Sequence, residues 1–89
     1  MNVCKRVYFA GHVQGVGFRY AAHALAQQFA VSGYVRNLSD GRVEMVAEGA
    51  LAEVDRFISA VARHMAEFIQ SRQESEEPAR GLATFEIRS

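Results

Sequence analysis

Val3-Cys4-Lys5-Arg6-Val7-Tyr8-Phe9-Ala10 runs into Gly11-His12-Val13-Gln14-Gly15-Val16-Gly17 and then Phe18-Arg19-Tyr20-Ala21-Ala22. Three kinds of chain follow one another here. Residues 3–10 alternate, with Val3, Val7 and Phe9 on the expected core face and Lys5 near its edge, the period-2 signature of a strand. The next seven residues hold three glycines and predict a loop. From Phe18 the period changes. Phe18, Ala21, Ala22, Leu25, Ala26 and Phe29 fall on one face of a helix, which Ser32-Gly33 is expected to break.

Working outward, Tyr34-Val35-Arg36-Asn37-Leu38 reads as a second strand. Ser39-Asp40-Gly41 supplies hairpin chemistry, because Asp-Gly tolerates the positive φ of a tight turn. Arg42–Glu48 is a third strand, ended by Gly49. Leu51, Val54, Phe57, Ile58, Val61 and Met65 recur at helical spacing and predict a second helix. Phe68-Ile69 suggests a short extra strand, residues 71–81 an exposed polar loop, and Thr84-Phe85-Glu86-Ile87-Arg88 a last strand with Phe85 and Ile87 inward. The order is β-α-β-β-α-β, an α+β, ferredoxin-like sandwich with two helices on one face of an antiparallel sheet of four or five strands. The third strand should lie between the first and second. A right-handed crossover then makes strands one and two point the same way. The loop from Gly11 to Arg19 and the end of strand two at Asn37 are therefore expected at one edge of the sheet.

Composition narrows the class. The chain has 89 residues, 49% hydrophobic and 22% charged, with ten Lys+Arg against ten Asp+Glu. That suits a single domain over residues 1–89 and argues against disorder. No apolar run approaches the roughly 18 residues of a membrane span. The start carries no signal-peptide core, and one cysteine cannot make an internal disulfide, so a cytoplasmic protein is expected. Zero net charge argues against a general nucleic-acid role. The charge is nevertheless uneven: residues 1–44 carry five bases and two acids, residues 45–89 five bases and eight acids. A small anion would be favoured in the first forty residues, where the earliest acid is Asp40.

A glycine-rich loop entering a helix N-terminus offers an anion unpaired backbone N–H groups. Arg19, in the first helical turn, can grip two oxygens of a phosphate. No Walker Gly-Lys-Ser/Thr follows, which argues against P-loop nucleotide binding. Glycine spacing by itself is equally compatible with a plain strand-to-helix turn bearing a surface arginine.

Gly11-His12-Val13-Gln14-Gly15-Val16-Gly17-Phe18-Arg19, followed by Gly33-Tyr34-Val35-Arg36-Asn37-Leu38-Ser39-Asp40-Gly41-Arg42-Val43, resembles the two signatures of the acylphosphatase family, in order and at the family's separation. The resemblance is close over residues 7–49 and extends to the second helix and the last strand. It implies metal-independent hydrolysis of acyl phosphates to a carboxylate and inorganic phosphate, with no cofactor. It maps the phosphate-binding loop onto Gly11, His12, Val13, Gln14, Gly15, Val16, Gly17 and Phe18, the substrate-binding arginine onto Arg19, and the water-orienting residue onto Asn37. The implied partner is a small acyl phosphate, with inorganic phosphate as product and competitive inhibitor. No nucleic acid or membrane is expected, and a monomer is.

Other residues carry weaker signals. His12, in the loop, is a secondary candidate for substrate contact. His23 and His64 are expected at the surface or a helix edge, and the three histidines form no zinc set. Cys4 lacks a nearby histidine motif and is expected to be a small apolar strand residue. Two positions depart from the family pattern: Ala30 stands where a helix-ending glycine is usual, predicting a strained left-handed cap, and residues 63–67 lack a Gly-Pro turn, leaving the path of 63–81 open. Two other classes compete. A ferredoxin-like sheet can be an RNA platform, here with Tyr8 and Tyr34 exposed. A domain could also bind phosphate or carbamoyl phosphate without turnover, against which Arg19 and Asn37 stand.

Overall fold

The alternation of residues 3–10 divides the molecule into two faces. A computed structural model describes residues 2–89. Its elements are β1 (Asn2–Gly11), α1 (Phe18–Ala26), β2 (Val31–Asn37), β3 (Val43–Ala50), α2 (Leu51–His64), β4 (Ile69–Glu77) and β5 (Phe85–Arg88). They form one five-stranded sheet in the order β4-β1-β3-β2-β5, mixed where an antiparallel sheet was expected, because β5 runs parallel to β2. Val7 and Phe9 of β1, Val43 and Met45 of β3 and Val35 of β2 share a core with Ala22 and Ala26 of α1 and with Val54, Phe57, Ile58 and Val61 of α2. Phe57 meets Phe29 at 6.0 Å and Phe85 at 5.2 Å between ring centroids, joining α2 to the chain after α1 and to β5. Full burial of such a ring contributes about 2–3 kcal/mol.

The opposite face carries charge. Cys4, Tyr34 and Val46 form a small buried cluster there, covered by half-buried Leu82. Beside it Glu44 and Glu48 are buried carboxylates. Glu44 accepts from Arg6 Nη1 at 2.6 Å and from Arg36 Nε at 2.5 Å. Glu48 accepts the N–H groups of Arg80 and Gly81, both at 2.8 Å, which ties residues 80–82 across the sheet. Tyr34 is only 5% exposed, and the guanidinium of Arg88 lies 4.1 Å from its ring centroid. Arg42 lies 4.4 Å over Tyr8. The pair proposed as an open aromatic platform for RNA is thus covered.

Several local expectations are corrected, among them the end of the third strand, since β3 runs on through Gly49 to Ala50. Residues 69–77, expected to be mostly loop, are strand β4, which pairs with β1 from Cys4↔Glu77 to Ala10↔Ser71. Its side chains are nearly all exposed, so no apolar alternation marks it. Ser32-Gly33 does not break the first helix but lies inside β2. The helix ends at Ala26, and tighter i→i−3 bonds from Gln27, Gln28 and Phe29 unwind it. Ala30 is not a strained left-handed cap, because every positive φ among the described residues belongs to a glycine. Its N–H donates to Glu53 Oε1 at 2.9 Å. Leu51, placed on the buried stripe of the second helix, is 48% exposed at the first position of α2.

Candidate active site

β1 and β2 are both antiparallel to β3, so they run in the same direction and end at the same edge. Val43 pairs with Phe9 on one side and Asn37 on the other. The loop following β1 and the end of β2 are thereby neighbours, as the crossover argument requires.

The loop is fastened at both ends. A Cβ on Gly11 would lie 2.5 Å from Phe68 O, so the close approach of the two backbones requires glycine. The His12 N–H donates to Phe68 O at 2.9 Å. Gly11 and His12 therefore root the loop on the segment between α2 and β4, and the His12 N–H is already partnered. The His12 side chain is exposed. Val13 and Phe18 are buried in the core, with the Phe18 ring 5.0 Å from that of Phe9. Between these two anchors Gly15 and Gly17 adopt φ of 78° and 79°, and Gly17 is the N-cap of α1. The chain can reverse there without a Cβ penalty.

These anchors leave a row of donors unused. Ala21 N–H bonds to Gly17 O at 3.0 Å, opening the helix. Among the described residues no backbone or side-chain acceptor takes the N–H groups of Gly15, Val16, Gly17, Phe18, Arg19 or Tyr20. The first turn of α1 holds no acid and has no side-chain cap. The partial positive charge of the helix terminus therefore meets no negative group of its own.

Val13, Gly15, Gly17, Phe18, Arg19, Tyr20 and Asn37 line a cavity of about 150 Å³. Arg19 Nη1 donates to the carbonyl of Arg88 at 3.1 Å, so the end of β5 steadies the guanidinium without neutralising it. Eight of the ten basic side chains, Lys5 and seven arginines, form ion pairs; among the described residues Arg19 and Arg63 have none. Asn37 makes no side-chain hydrogen bond among those described, and its amide is free to hold a water. Gln14 instead serves the adjoining hairpin: its Nε2 donates to Leu38 O at 2.7 Å and to Arg42 O at 3.0 Å. Sequence reasoning placed Gln14 in the phosphate loop and had no signal for this bracing. It also missed the Arg88 carbonyl, while Tyr20, 70% exposed, lies at the cavity rim.

The remaining candidates lie elsewhere. His23 packs on the Phe85 ring at 6.4 Å and His64 is exposed at the end of α2. Cys4 is fully buried on the opposite face, and burial pushes its thiol pKa up, against what a nucleophile needs. No helix is long and apolar enough to cross a membrane.

Known proteins resemble this chain in sequence and fold. The sequence model of the acylphosphatase family matches residues 5–87. An acylphosphatase of Acaryochloris marina is 50% identical over 56 residues, covering 63% of this chain and 60% of that one. An acylphosphatase of Synechococcus is 43% identical over 83 residues, covering 92% of this chain and 88% of that one. The crystal structure of acylphosphatase from Bacillus subtilis superimposes with a TM-score of 0.87 at 31% identity, over 98% of this chain and 99% of that one.

Proposed function

The chain belongs to the acylphosphatase family and is an acylphosphatase enzyme, and from that premise we propose how its own residues carry out the hydrolysis. The phosphoryl group of a small acyl phosphate sits in the cavity between the free N–H groups of Gly15–Tyr20 and the Arg19 guanidinium. Asn37 holds a water on the cavity wall. The water oxygen attacks phosphorus as the bond from phosphorus to the carboxyl oxygen breaks. The carboxylate leaves with the bonding pair, and a proton of the water passes to a phosphate oxygen. A carboxylate is a good leaving group, so the site needs only to position and to stabilise charge. No strong protein base and no metal enters this scheme.

The observation that carries the reading is the convergence of unengaged amides, an arginine without a carboxylate and an unengaged carboxamide on one small cavity. His12 stays outside the set of amide donors, its N–H being committed to Phe68. Residues 1–89 act as one domain, as a cytoplasmic monomer without a nucleic-acid partner. Inorganic phosphate is both product and competitive inhibitor. Release of phosphate from a small aryl acyl phosphate by purified protein, with a chelator present, tests the scheme. It predicts undiminished turnover that inorganic phosphate inhibits competitively. Turnover only after a divalent metal is added would contradict it.

A further inference from the structure

The cavity is built from two pieces of chain that the sheet brings to one edge through Val43. The phosphate side belongs to the loop before α1. The water side belongs to Asn37, where β2 gives way to the hairpin. Gln14 joins them. Its single amide nitrogen donates to Leu38 O, the carbonyl next after Asn37, and to Arg42 O, the carbonyl just before Val43. Those two carbonyls close the hairpin turn itself: Leu38 N–H donates to Arg42 O at 2.8 Å and Gly41 N–H to Leu38 O at 3.2 Å. One side chain of the loop thus grips both feet of the turn that carries Asn37. Gln14 is half-buried, between Val13, which is buried in the core, and Gly15, whose backbone turns through positive φ. The loop end of the clamp is anchored by packing, and its hairpin end by two acceptors.

Resting on the catalytic roles proposed above, we propose that Gln14 is a positioning residue that sets the place of the attacking water relative to the phosphoryl group by fixing the hairpin, and with it Asn37, to the phosphate loop. It touches neither substrate nor water in this role. Its backbone neighbours and Arg19 can bind phosphate whether or not the clamp is closed. Loss of the clamp therefore separates turnover from binding, because a misplacement of the order of 1 Å in a reacting group costs up to about 100-fold in rate.

Gln14→Met keeps length and removes both donors. Its kcat should fall about 10-fold while the inhibition constant for inorganic phosphate stays within about 2-fold of wild type. Both are measured well below the melting temperature, so a loss of stability moves neither. Gln14→Asn, which keeps the amide and shortens its reach by one methylene, should shift the same way and serves if the methionine variant does not fold. The decisive comparison is a double-mutant cycle with Asn37→Ala. If Gln14 acts through Asn37, the double variant is no slower than Asn37→Ala. Independent, multiplicative losses would overturn the proposal, as would unchanged kcat in folded Gln14→Met or Gln14→Asn. Should Asn37→Ala itself retain full kcat, the water-holding role fails first, and the cycle shows that separately from the clamp.

Discussion

Arg6 and Arg19 are both partly buried arginines held by residues far away in the chain, yet their surroundings are opposite. On the open face of the sheet Arg6 Nη1 meets Glu44 at 2.6 Å, and Arg6 Nε meets Glu77 at 2.5 Å. The hydrogen bonds it donates to Glu77 and then to Glu44 hold its guanidinium pKa well above the ordinary range. Arg19, beside the glycine loop, meets a carbonyl and no carboxylate among the described residues. A paired arginine is already neutralised and can contribute only to structure. One that is steadied by a dipole keeps its charge for an incoming anion. The chain thus separates stability from binding by where it places its carboxylates rather than its bases.

The contrast breaks most clearly at Arg19. Arg19→Ala and Arg19→Lys should each lower kcat/KM by on the order of 100-fold or more, with little change in melting temperature, because lysine keeps the charge but loses the planar grip. Near-normal turnover in Arg19→Lys would refute the two-point contact. The reverse is expected at Arg6: Arg6→Met takes one charged donor from each of two carboxylates, leaving Glu44 to Arg36 and Glu77 to Arg80, and should cost about 1–3 kcal/mol of stability, leaving kcat of the folded protein near wild type. Chemical denaturation and kinetics on the same sample check both halves, and a large fall in kcat would erase the distinction.

The smallest effect is one of pH. Burial pushes the Glu44 carboxyl up, but the hydrogen bonds from Arg36 and Arg6 outweigh it and hold its pKa below the usual carboxylate range. The N–H groups of Arg80 and Gly81 lower Glu48, and the Arg6 hydrogen bond lowers Glu77. A carboxyl depressed in the folded state binds its proton more readily when unfolded. Its contribution is therefore complete above the unfolded value of about 4.3 and is lost as pH falls through the folded value. Melting temperature should be nearly level from pH 7 to about 5 and drop below about 4. The gap between wild type and Glu44→Gln should narrow over the same fall, and a gap constant with pH would remove Glu44 from the account.

Where burial decides conformation, the sequence was readable. The stripe from Phe18 to Ala26 lies on the core and the alternation at Val7 and Phe9 faces it, so the order of β1, α1, β2, β3 and α2 follows from period together with the turn chemistry of Ser39-Asp40-Gly41. Gly11–Arg19 and Asn37 were legible as neighbours because chain direction and crossover hand fix them. β4 was not, since an edge strand with exposed side chains owes its form to backbone bonds with β1, which leave no apolar mark. The burial of Glu44 and Glu48 was equally hidden: Arg6 and the N–H groups of Arg80 and Gly81 reach them from more than thirty residues away. The glycine loop gave reason to expect an anion site, but no sign that Gln14 braces the hairpin while Asn37 is left free.

That freedom is the point on which the catalytic account turns. The most direct test is Asn37→Ala, with kcat and inhibition by inorganic phosphate measured on the same folded protein. The account predicts a strong fall in kcat with phosphate affinity close to wild type, since the loop amides and Arg19 remain. Undiminished kcat, or equal losses of turnover and phosphate affinity, would contradict it.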